Sequence, residues 1–277
     1  MPDYSVHTQS AATGHSSPAA EAVLRYQQQQ QHQQQHDHNC QHQHAIPVSG
    51  MGAILVVSPH PDDETLGCGG LIALCARAQH PVSVLAMTNG EASHPGDQIW
   101  QHKLGQIRQQ EQLNALKTLG VPNPDVISLA LPDGGLDRLR GDKTNAISAL
   151  IEESMKSRNI KTLFLPAIDD CHNDHQETAR LLARIATNYP AKFIFSYQIW
   201  PPVTRSAQVS SNEAAYALDI AQVLTLKKQA IEEFRSQLGD IEPAHTEGFR
   251  IPQVLLEKKL EAHESYALIQ NVFAWSR

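Results

Sequence analysis

The chain has 277 residues, of which 41% are hydrophobic, so it is long and apolar enough to bury a sizeable core. Its formal net charge of −7 is spread without long runs of one sign, which excludes the basic patch that nucleic acid or an anionic membrane surface requires. No stretch approaches the roughly 20 consecutive apolar residues of a membrane span, so we expect neither a nucleic-acid partner nor a membrane span.

The first fifty residues differ in composition from the rest of the chain. Glutamine, histidine, serine and alanine dominate them, with a run rich in glutamine and histidine from Gln27 to His44. A segment with so few large aliphatic side chains cannot bury enough apolar surface to offset its ordering entropy. We predict that residues 1–50 form a disordered, solvated tail whose histidines bind metal only incidentally; a role in delivering zinc is the alternative.

Two features indicate a cytoplasmic protein. The N-terminus begins Met1-Pro2-Asp3 and has neither the basic run nor the apolar segment of a secretion signal. The four cysteines, at positions 40, 68, 75 and 171, lack CxxC spacing and do not suggest a disulfide framework in a chain of this length. We therefore expect a reducing, cytoplasmic setting.

Short apolar runs recur along the chain from residue 53 onward. The first, Ala53 to Val57, is continuous and has the length of a strand, which is typical of a parallel sheet covered on both faces. Four further strands are predicted from similar runs at Val82–Met87, Val126–Leu129, Thr162–Leu165 and Phe193–Tyr197.

Helical patterns separate these strands. One helix is expected to end at Leu119, because the following Gly120 is a typical C-cap. Strands alternating with helices favour right-handed crossovers, so the predicted fold class is α/β and Rossmann-like, a mostly parallel sheet flanked by helices. We assign residues 51–277 to one such domain with a C-terminal extension. Other predicted helices contain Ile147, Leu150, Ile151 and Met155 on one face, Ala179 to Ala186, Leu226 to Phe234, and Val254 to Ala262.

Two polar motifs follow predicted strands. Pro59-His60-Pro61-Asp62-Asp63-Glu64 comes directly after the first strand, and Cys171-His172-Asn173-Asp174-His175 comes shortly after the fourth. The carboxyl ends of parallel strands share one edge of the sheet. If the strand order is the usual doubly wound 3-2-1-4-5, strands one and four flank the switch point where ligands bind. We expect the two motifs to converge in one crevice.

The side chains of the two motifs suit a catalytic zinc site. Such a site takes three imidazole or carboxylate ligands from the protein and leaves a fourth position for water. Adjacent carboxylates cannot easily bind one ion together, so one of Asp62 and Asp63 is expected to bind the metal while the other acts as general base. We take His60, Asp63 and His175 as the ligands.

Each motif also has a structural interpretation. The first is compatible with a turn rich in proline and aspartate, and in the second Asp174 is a candidate N-cap for a helix starting near His175. Gly67, Gly69 and Gly70 invite a dinucleotide-binding interpretation, but three acidic residues would then face the pyrophosphate. These glycines are more consistent with close packing of the first helix.

Two further alternatives concern the chemistry. Cys68 and Cys171 adjoin the motifs as candidate nucleophiles or zinc thiolates, but neither has an obvious base, and packing explains them better. A non-catalytic metal-binding protein would need neither Asp62 nor His172. Both alternatives are therefore disfavoured.

From about Ala53 to Leu238 the sequence resembles the PIG-L/LmbE family of zinc-dependent de-N-acetylases. The first motif matches the family signature (A/P)-H-P-D-D-E, and the second matches H-x-D-H, with Asn173 where the family often has proline. Supporting stretches are Thr88–Glu91, Arg108 with Glu111, Leu131–Leu136, Lys227–Ala230 and Ser236–Gln237.

The resemblance implies hydrolysis of the acetamide of a small N-acetylglucosamine-type sugar or conjugate, with release of acetate; a larger amide conjugate is the alternative. It implies one Zn²⁺ per chain, held by the three ligands named above. No motif indicates an oligomeric state. The roles carried over for the other residues are Asp62 as general base, a protonated His172 as oxyanion stabiliser or acid, Asp174 as the group orienting His172, and Arg108 and Asp133 as sugar contacts.

Overall fold

The computed structural model describes residues 44–46, 48–203, 213–242 and 245–275. Most of the segment predicted to be disordered, residues 1–43, lies outside the described residues, so its disorder stays a prediction. Among the described residues, none of the helices combines the length and the apolar character that a membrane span requires.

The described residues form one eight-stranded sheet. Its strands are β1 (His44–Ala45), β2 (Ala53–Ser58), β3 (Val82–Thr88), β4 (Asp125–Leu131), β5 (Ile160–Pro166), β6 (Phe193–Tyr197), β7 (Glu213–Asp219) and β8 (His263–Ile269). They lie side by side in the order β1-β7-β8-β6-β5-β2-β3-β4. All neighbours pair in parallel except β8, which is antiparallel to both β6 and β7.

The five predicted strands and the predicted fold class are confirmed. Strands β2 to β6 lie in the order β4-β3-β2-β5-β6, which is the doubly wound arrangement expected from the sequence. Strands β2 and β5 therefore pair directly, with Leu55 opposite Leu163. Their carboxyl ends, which carry the two polar motifs, are neighbours at the switch point of the sheet.

Helices cover both faces of the sheet. They are α1 (Asp63–Arg77), α2 (Gln98–Thr118), α3 (Asp142–Ser157), α4 (Asn173–Ala186), α5 (Leu224–Glu232) and α6 (Gln253–Lys259). Successive residues of β2 point to opposite faces: Ile54 and Val56 join the core under α1, α2 and α5, whereas Leu55 and Val57 join the core under α3 and α4. This alternation explains the continuous apolar run in the sequence.

The ends and faces of the helices follow the sequence pattern with one exception. Helix α2 ends at Thr118, and Gly120 adopts a φ of 93°, as expected for a glycine C-cap. In α3 Ile151 and Met155 are completely buried, but the side chain of Leu150 is 54% exposed. The buried stripe of α3 is therefore narrower than predicted, and Leu150 lies on its solvent side.

The glycines after the first motif are packing residues inside α1. A Cβ atom at Gly67 would lie 2.4 Å from the ring of Tyr197, and one at Gly70 would lie 2.4 Å from Cγ2 of Ile220. Only glycine lets α1 approach its neighbours this closely. The packing interpretation of these glycines is thus supported over a phosphate-binding loop.

The C-terminal extension completes the sheet. Strands β7 and β8 were not expected from the sequence, and the segment predicted as a helix to residue 262 is helical only to Lys259. Glu264 of β8 accepts hydrogen bonds from the main-chain amides of Gly70 (2.7 Å) and Leu71 (2.8 Å) in α1. The C-terminal extension is therefore hydrogen-bonded directly to α1, the helix that follows the first motif.

Candidate active site

The two polar motifs converge at the carboxyl edge of β2 and β5. The ring centroid of His60 lies 4.7 Å from that of His172 and 5.4 Å from that of His175. His172 is the N-cap of α4, and its Nδ1 atom accepts a hydrogen bond from the main-chain amide of Asp174. The capping residue is thus His172 and not Asp174, because α4 begins two residues earlier than the sequence suggested.

Asp62 occupies a strained turn between β2 and α1. Its φ of 129° lies in a region that residues with a side chain rarely adopt. Its carbonyl accepts hydrogen bonds from the amides of Thr65 (3.0 Å) and Leu66 (2.8 Å), so the first turn of α1 holds it in place. Strain of this kind persists where the surroundings fix a side chain in one position, which is common in active sites.

The carboxylate of Asp63 lies between two imidazoles. Its Oδ2 atom is 3.2 Å from Nδ1 of His60 and 3.2 Å from Nε2 of His175. Zinc bonds of about 2.0–2.2 Å in a tetrahedron place ligand atoms about 3.4 Å apart, so these spacings fit one shared ion. His175 is completely buried, and its two ring nitrogens face carboxylate oxygens of Asp63 and Asp170 at 3.2 Å without the geometry of a hydrogen bond. Its Nε2 is a buried polar atom that a metal would satisfy.

Carboxylates also face the outer nitrogens of these two imidazoles. Nε2 of His60 lies 3.2 Å from Oδ1 of Asp133 and 3.3 Å from Oδ2 of Asp174, while Nδ1 of His175 lies 3.2 Å from Oδ2 of Asp170. A carboxylate behind a ligating histidine is the usual arrangement in metal sites. Asp170 was not identified as a site residue from the sequence. Its position two residues before His172 of the second motif could have indicated it.

Among the described residues, two groups of three side chains have closely spaced donor atoms, and both include His60 but not Asp63. In each group the donor atoms lie within 4.8 Å of one another: His60 with His172 and His175, and His60 with Asp133 and Asp174. In the second group Asp174 also accepts hydrogen bonds from the amides of Gly134 (2.7 Å) and Leu136 (3.2 Å), just as Oδ2 of Asp63 accepts one from the amide of His60 (2.9 Å). Asp133 likewise accepts from the amide of Ala92 (2.8 Å).

Asp62 and Asp63 have opposite electrostatic environments. Burial raises the pKa of Asp62 well above its usual value; the positive charge of Arg108 opposes this, and the negative charge of Asp63 adds to it. Burial also disfavours the Asp63 carboxylate, but the charges of His175 and His60 outweigh it and lower the pKa of Asp63. Neighbouring carboxylates whose pKa values are pushed apart suit different roles, one as a proton acceptor and one as a permanent anion.

The surroundings of His172 disfavour the charged form of its imidazole. Burial, together with the positive charges of His60 and His175, lowers the pKa of His172 to about 4. Because Nδ1 accepts the amide proton of Asp174, Nε2 carries the ring proton of the neutral form. The family resemblance implies a protonated His172, whereas burial and the neighbouring charges favour the neutral form; the catalytic role of His172 stays a prediction. The main-chain amide of Asp174 fixes the His172 ring through its hydrogen bond to Nδ1. The carboxylate of Asp174 instead accepts a hydrogen bond from the amide of Gly134.

Arg108 is bound to the first motif from α2. It donates hydrogen bonds to Oδ2 of Asp62 (3.0 Å), to the carbonyl of Pro61 (2.6 Å) and to the carbonyl of Gly90 (2.9 Å). The side chain is buried, with its Nε atom unpaired among the described residues. Arg108 is therefore positioned to fix the Asp62 carboxylate as well as to face a ligand.

A cavity of about 90 Å³ joins these groups. Asp174 and His175 do not line the cavity. Its apolar lining includes Ile199, Trp200, Phe249 and Ile251. The sequence pattern did not point to these apolar residues, although Trp200 follows β6 at the same sheet edge. The predicted site residues that line the cavity are His60, Asp62, Asp63, Arg108, Asp133 and His172.

The cysteine beside the first motif is not a nucleophile. Cys68 is completely buried in the core under α1. Burial, reinforced by the negative charge of Glu264, raises the pKa of the Cys68 thiol well above its usual value. A thiol without access or thiolate character is inert, which supports the packing interpretation of Cys68.

Comparison with known proteins places the chain in a family. Residues 55–186 match the family model described as PIG-L, GlcNAc-PI de-N-acetylase. A Bacillus subtilis (strain 168) protein described as a probable N-acetyl-alpha-D-glucosaminyl L-malate deacetylase 2 is 32% identical over 187 residues. This alignment covers 66% of the present chain and 82% of that relative.

Solved structures share the fold at lower identity. The N,N'-diacetylchitobiose deacetylase of Pyrococcus horikoshii matches with a TM-score of 0.61 and 19% identity, over 82% of this chain and 87% of that one. GalB, a 4-carboxy-2-hydroxymuconate hydratase of Pseudomonas putida KT2440, matches with a TM-score of 0.51 and 18% identity, over 79% and 95%. A deacetylase and a hydratase thus share this fold, so an assignment of reaction depends on the site residues.

Proposed function

The chain belongs to the GlcNAc-PI de-N-acetylase (PIG-L) family, and from this premise we propose that it is a metal-dependent N-deacetylase of a small N-acetylglucosamine-type conjugate. The reaction is hydrolysis of the acetamide to acetate and a free amine. One observation carries the proposal: His60, Asp62 and Asp63 line one cavity at the switch point, and Nε2 of the buried His175 lies 3.2 Å from Oδ2 of Asp63. That combination supplies a proton acceptor beside a metal site.

We assign one Zn²⁺ to Nδ1 of His60, Oδ2 of Asp63 and Nε2 of His175. Two observations support this set: the two 3.2 Å spacings, and the buried Nε2 of His175, which makes no hydrogen bond of good geometry with the described residues. When bound, zinc would supply the Lewis acidity that polarises the acetamide carbonyl and makes a water ligand more acidic. Asp170 behind His175, and Asp133 with Asp174 behind His60, would fix the two rings.

Asp62 and His172 perform the proton chemistry in this proposal. Arg108 holds Oδ2 of Asp62, which leaves Oδ1 to accept the proton of the attacking water and to pass it to the leaving amine nitrogen. The raised pKa of Asp62 favours this exchange. The Nε2 proton of neutral His172 is donated as a hydrogen bond to the carbonyl oxygen as negative charge develops there.

The size of the cavity favours recognition of the acetamido end of the substrate. Its volume of about 90 Å³ is small beside the roughly 300–1,000 Å³ of pockets that enclose a whole drug-sized ligand. The sugar and its substituent would then remain at the mouth of the cavity. This arrangement is compatible with the amino-sugar conjugates named for the relatives, and a small or terminal sugar is our preferred substrate.

Release of acetate and free amine from a panel of N-acetylglucosamine derivatives tests the proposal. The panel includes the malate and inositol conjugates of N-acetylglucosamine and the disaccharide N,N'-diacetylchitobiose. Each compound is assayed with zinc-loaded protein and with metal-free protein. We expect zinc-dependent release from at least one conjugate. Asp62→Asn is the matched variant, because it keeps the shape of the side chain and removes the proton acceptor.

The outcomes separate the reaction from the substrate. Metal-independent release, or equal release by Asp62→Asn, would contradict the proposed mechanism. One tightly bound zinc with no release from any sugar would contradict the proposed substrate class and favour a larger amide conjugate.

A further inference from the structure

A second cavity lies away from the proposed active site. Its volume is about 360 Å³, and it opens between the N-terminal end of α3 and the exposed face of α4. It shares no lining residue with the catalytic cavity. Leu136 and Leu139 line it, so it lies against the segment that also presents Asp133 and Gly134 to the catalytic site.

Positive charge is concentrated at this cavity although the chain as a whole is acidic. Three arginines, Arg140, Arg180 and Arg184, line it, with Glu177 as the one acidic lining residue among those described. Glu177 is engaged by Arg180 over 2.6 Å. Arg140 and Arg184 are therefore left without a carboxylate partner in the lining, and their guanidinium groups suit a bound anion.

Two hydroxyl groups of the lining lack hydrogen-bond partners. The Oγ1 atoms of Thr144 and Thr178 are both buried and unpaired among the described residues, and the Thr178 residue has 0% exposure. A buried hydroxyl without a partner costs free energy, so it is usually satisfied by a ligand or an ordered water. The Thr178 hydroxyl in the wall of this arginine-rich cavity can therefore donate a hydrogen bond to a ligand.

The N-terminus of α3 adds main-chain donors. Gly141 is the N-cap, with a φ of 58°, and no side chain caps the helix. The first intrahelical hydrogen bond is donated by Asn145, so the amides of the first turn remain available. Uncapped amides and the helix dipole favour an anion at this end, and Thr144 belongs to the same turn.

We propose that this second cavity is a binding site for the phosphate group of a small molecule. The phosphate oxygens would accept hydrogen bonds from Arg140, Arg184 and the hydroxyl of Thr178. Apolar side chains beside them, Leu136, Ile147 and Leu181, would contact the rest of the molecule. The proposal stands apart from the deacetylase assignment, because the two cavities share no residue.

Titration calorimetry on the metal-loaded full chain tests the site, with inorganic phosphate and phenyl phosphate as probes at constant ionic strength. We expect saturable binding that weakens at least about tenfold in Arg140→Ala and in Arg184→Ala. Thr178→Val should weaken binding without lowering stability, because it removes a hydroxyl that has no partner in the folded protein. Arg138→Ala is the matched control, since Arg138 is exposed and outside the lining.

The two probes distinguish the sources of the anion. Tighter binding of phenyl phosphate would support a phosphorylated molecule with an apolar part, whereas equal affinities would support free phosphate as the occupant. Absence of saturable binding by both probes would overturn the proposal. Equal affinity in the wild type, Arg184→Ala and Thr178→Val would place the anion elsewhere and would overturn it as well.

Discussion

Nη2 of Arg108 donates a hydrogen bond to Oδ2 of Asp62 over 3.0 Å, and less than a tenth of either side chain is exposed. Burial favours the protonated form of Asp62, whereas the guanidinium charge favours the ionised form. The ionisation of the proposed general base therefore depends on a residue from a different helix. This dependence can be measured.

Arg108→Gln should shift the acidic limb of the kcat/KM profile to higher pH. The base acts only when ionised, and loss of the adjacent positive charge raises the pKa of Asp62 further, so activity is lost at a higher pH as the solution is acidified. Arg108→Lys keeps the charge and should shift the limb less. If Arg108→Gln is folded and its acidic limb is unchanged, Arg108 does not influence the pKa of Asp62.

Asp62→Asn should lower kcat by about a hundredfold to ten-thousandfold, the usual contribution of a general base. Zinc content should stay near one ion per chain, because Asp62 does not belong to the proposed ligand set. Steady-state kinetics and metal analysis on the same preparation check both expectations. Loss of zinc together with activity would instead make Asp62 a ligand.

Asp170→Asn should weaken zinc binding by about tenfold to a hundredfold, because the carboxylate behind His175 would be lost. Competition with a chelator of known affinity measures the change. Asp169→Asn is the matched control and applies the same substitution one residue earlier. Equal zinc affinity in the two variants would show that Asp170 does not support the His175 ring.

Lys227→Met should lower the free energy of unfolding by about 3–5 kcal/mol, because it leaves Glu264 buried without its counter-charge. Nζ of Lys227 lies 2.7 Å from Oε1 of Glu264, and Lys227 is 1% exposed. Urea unfolding measures the change. The adjacent Lys228 is exposed, so Lys228→Met should change stability by less than about 0.5 kcal/mol. Similar losses in both variants would argue against a structural role for the buried pair.

The parallel half of the sheet was predictable because burial on both faces leaves a continuous apolar run, as in β2. Strands β7 and β8 lack this signal. The segment Glu213–Asp219 has three alanines among its seven residues and polar ends, and Glu264 of β8 is a buried carboxylate that a local pattern cannot distinguish from a surface one. Its partner Lys227 lies in helix α5, so the burial of both residues depends on tertiary contacts.

The meeting of the two motifs was predictable because both follow strands that neighbour each other at the switch point. The supporting contacts were not predictable. Asp170 lies behind His175, the Asp174 carboxylate holds the Gly134 loop, and Arg108 reaches Asp62 from α2. These contacts depend on how helices α2 and α4 and the loops after β2, β4 and β5 meet at one edge of the sheet, which no periodicity encodes.

Titration of metal-free protein with zinc, while acetate release is measured, tests the proposed metal-dependent deacetylation most directly. We expect activity to rise linearly, to reach a plateau at one zinc per chain, and to stay absent in His175→Ala at the same zinc concentrations. Full acetate release by the metal-free protein, or by His175→Ala, would contradict it.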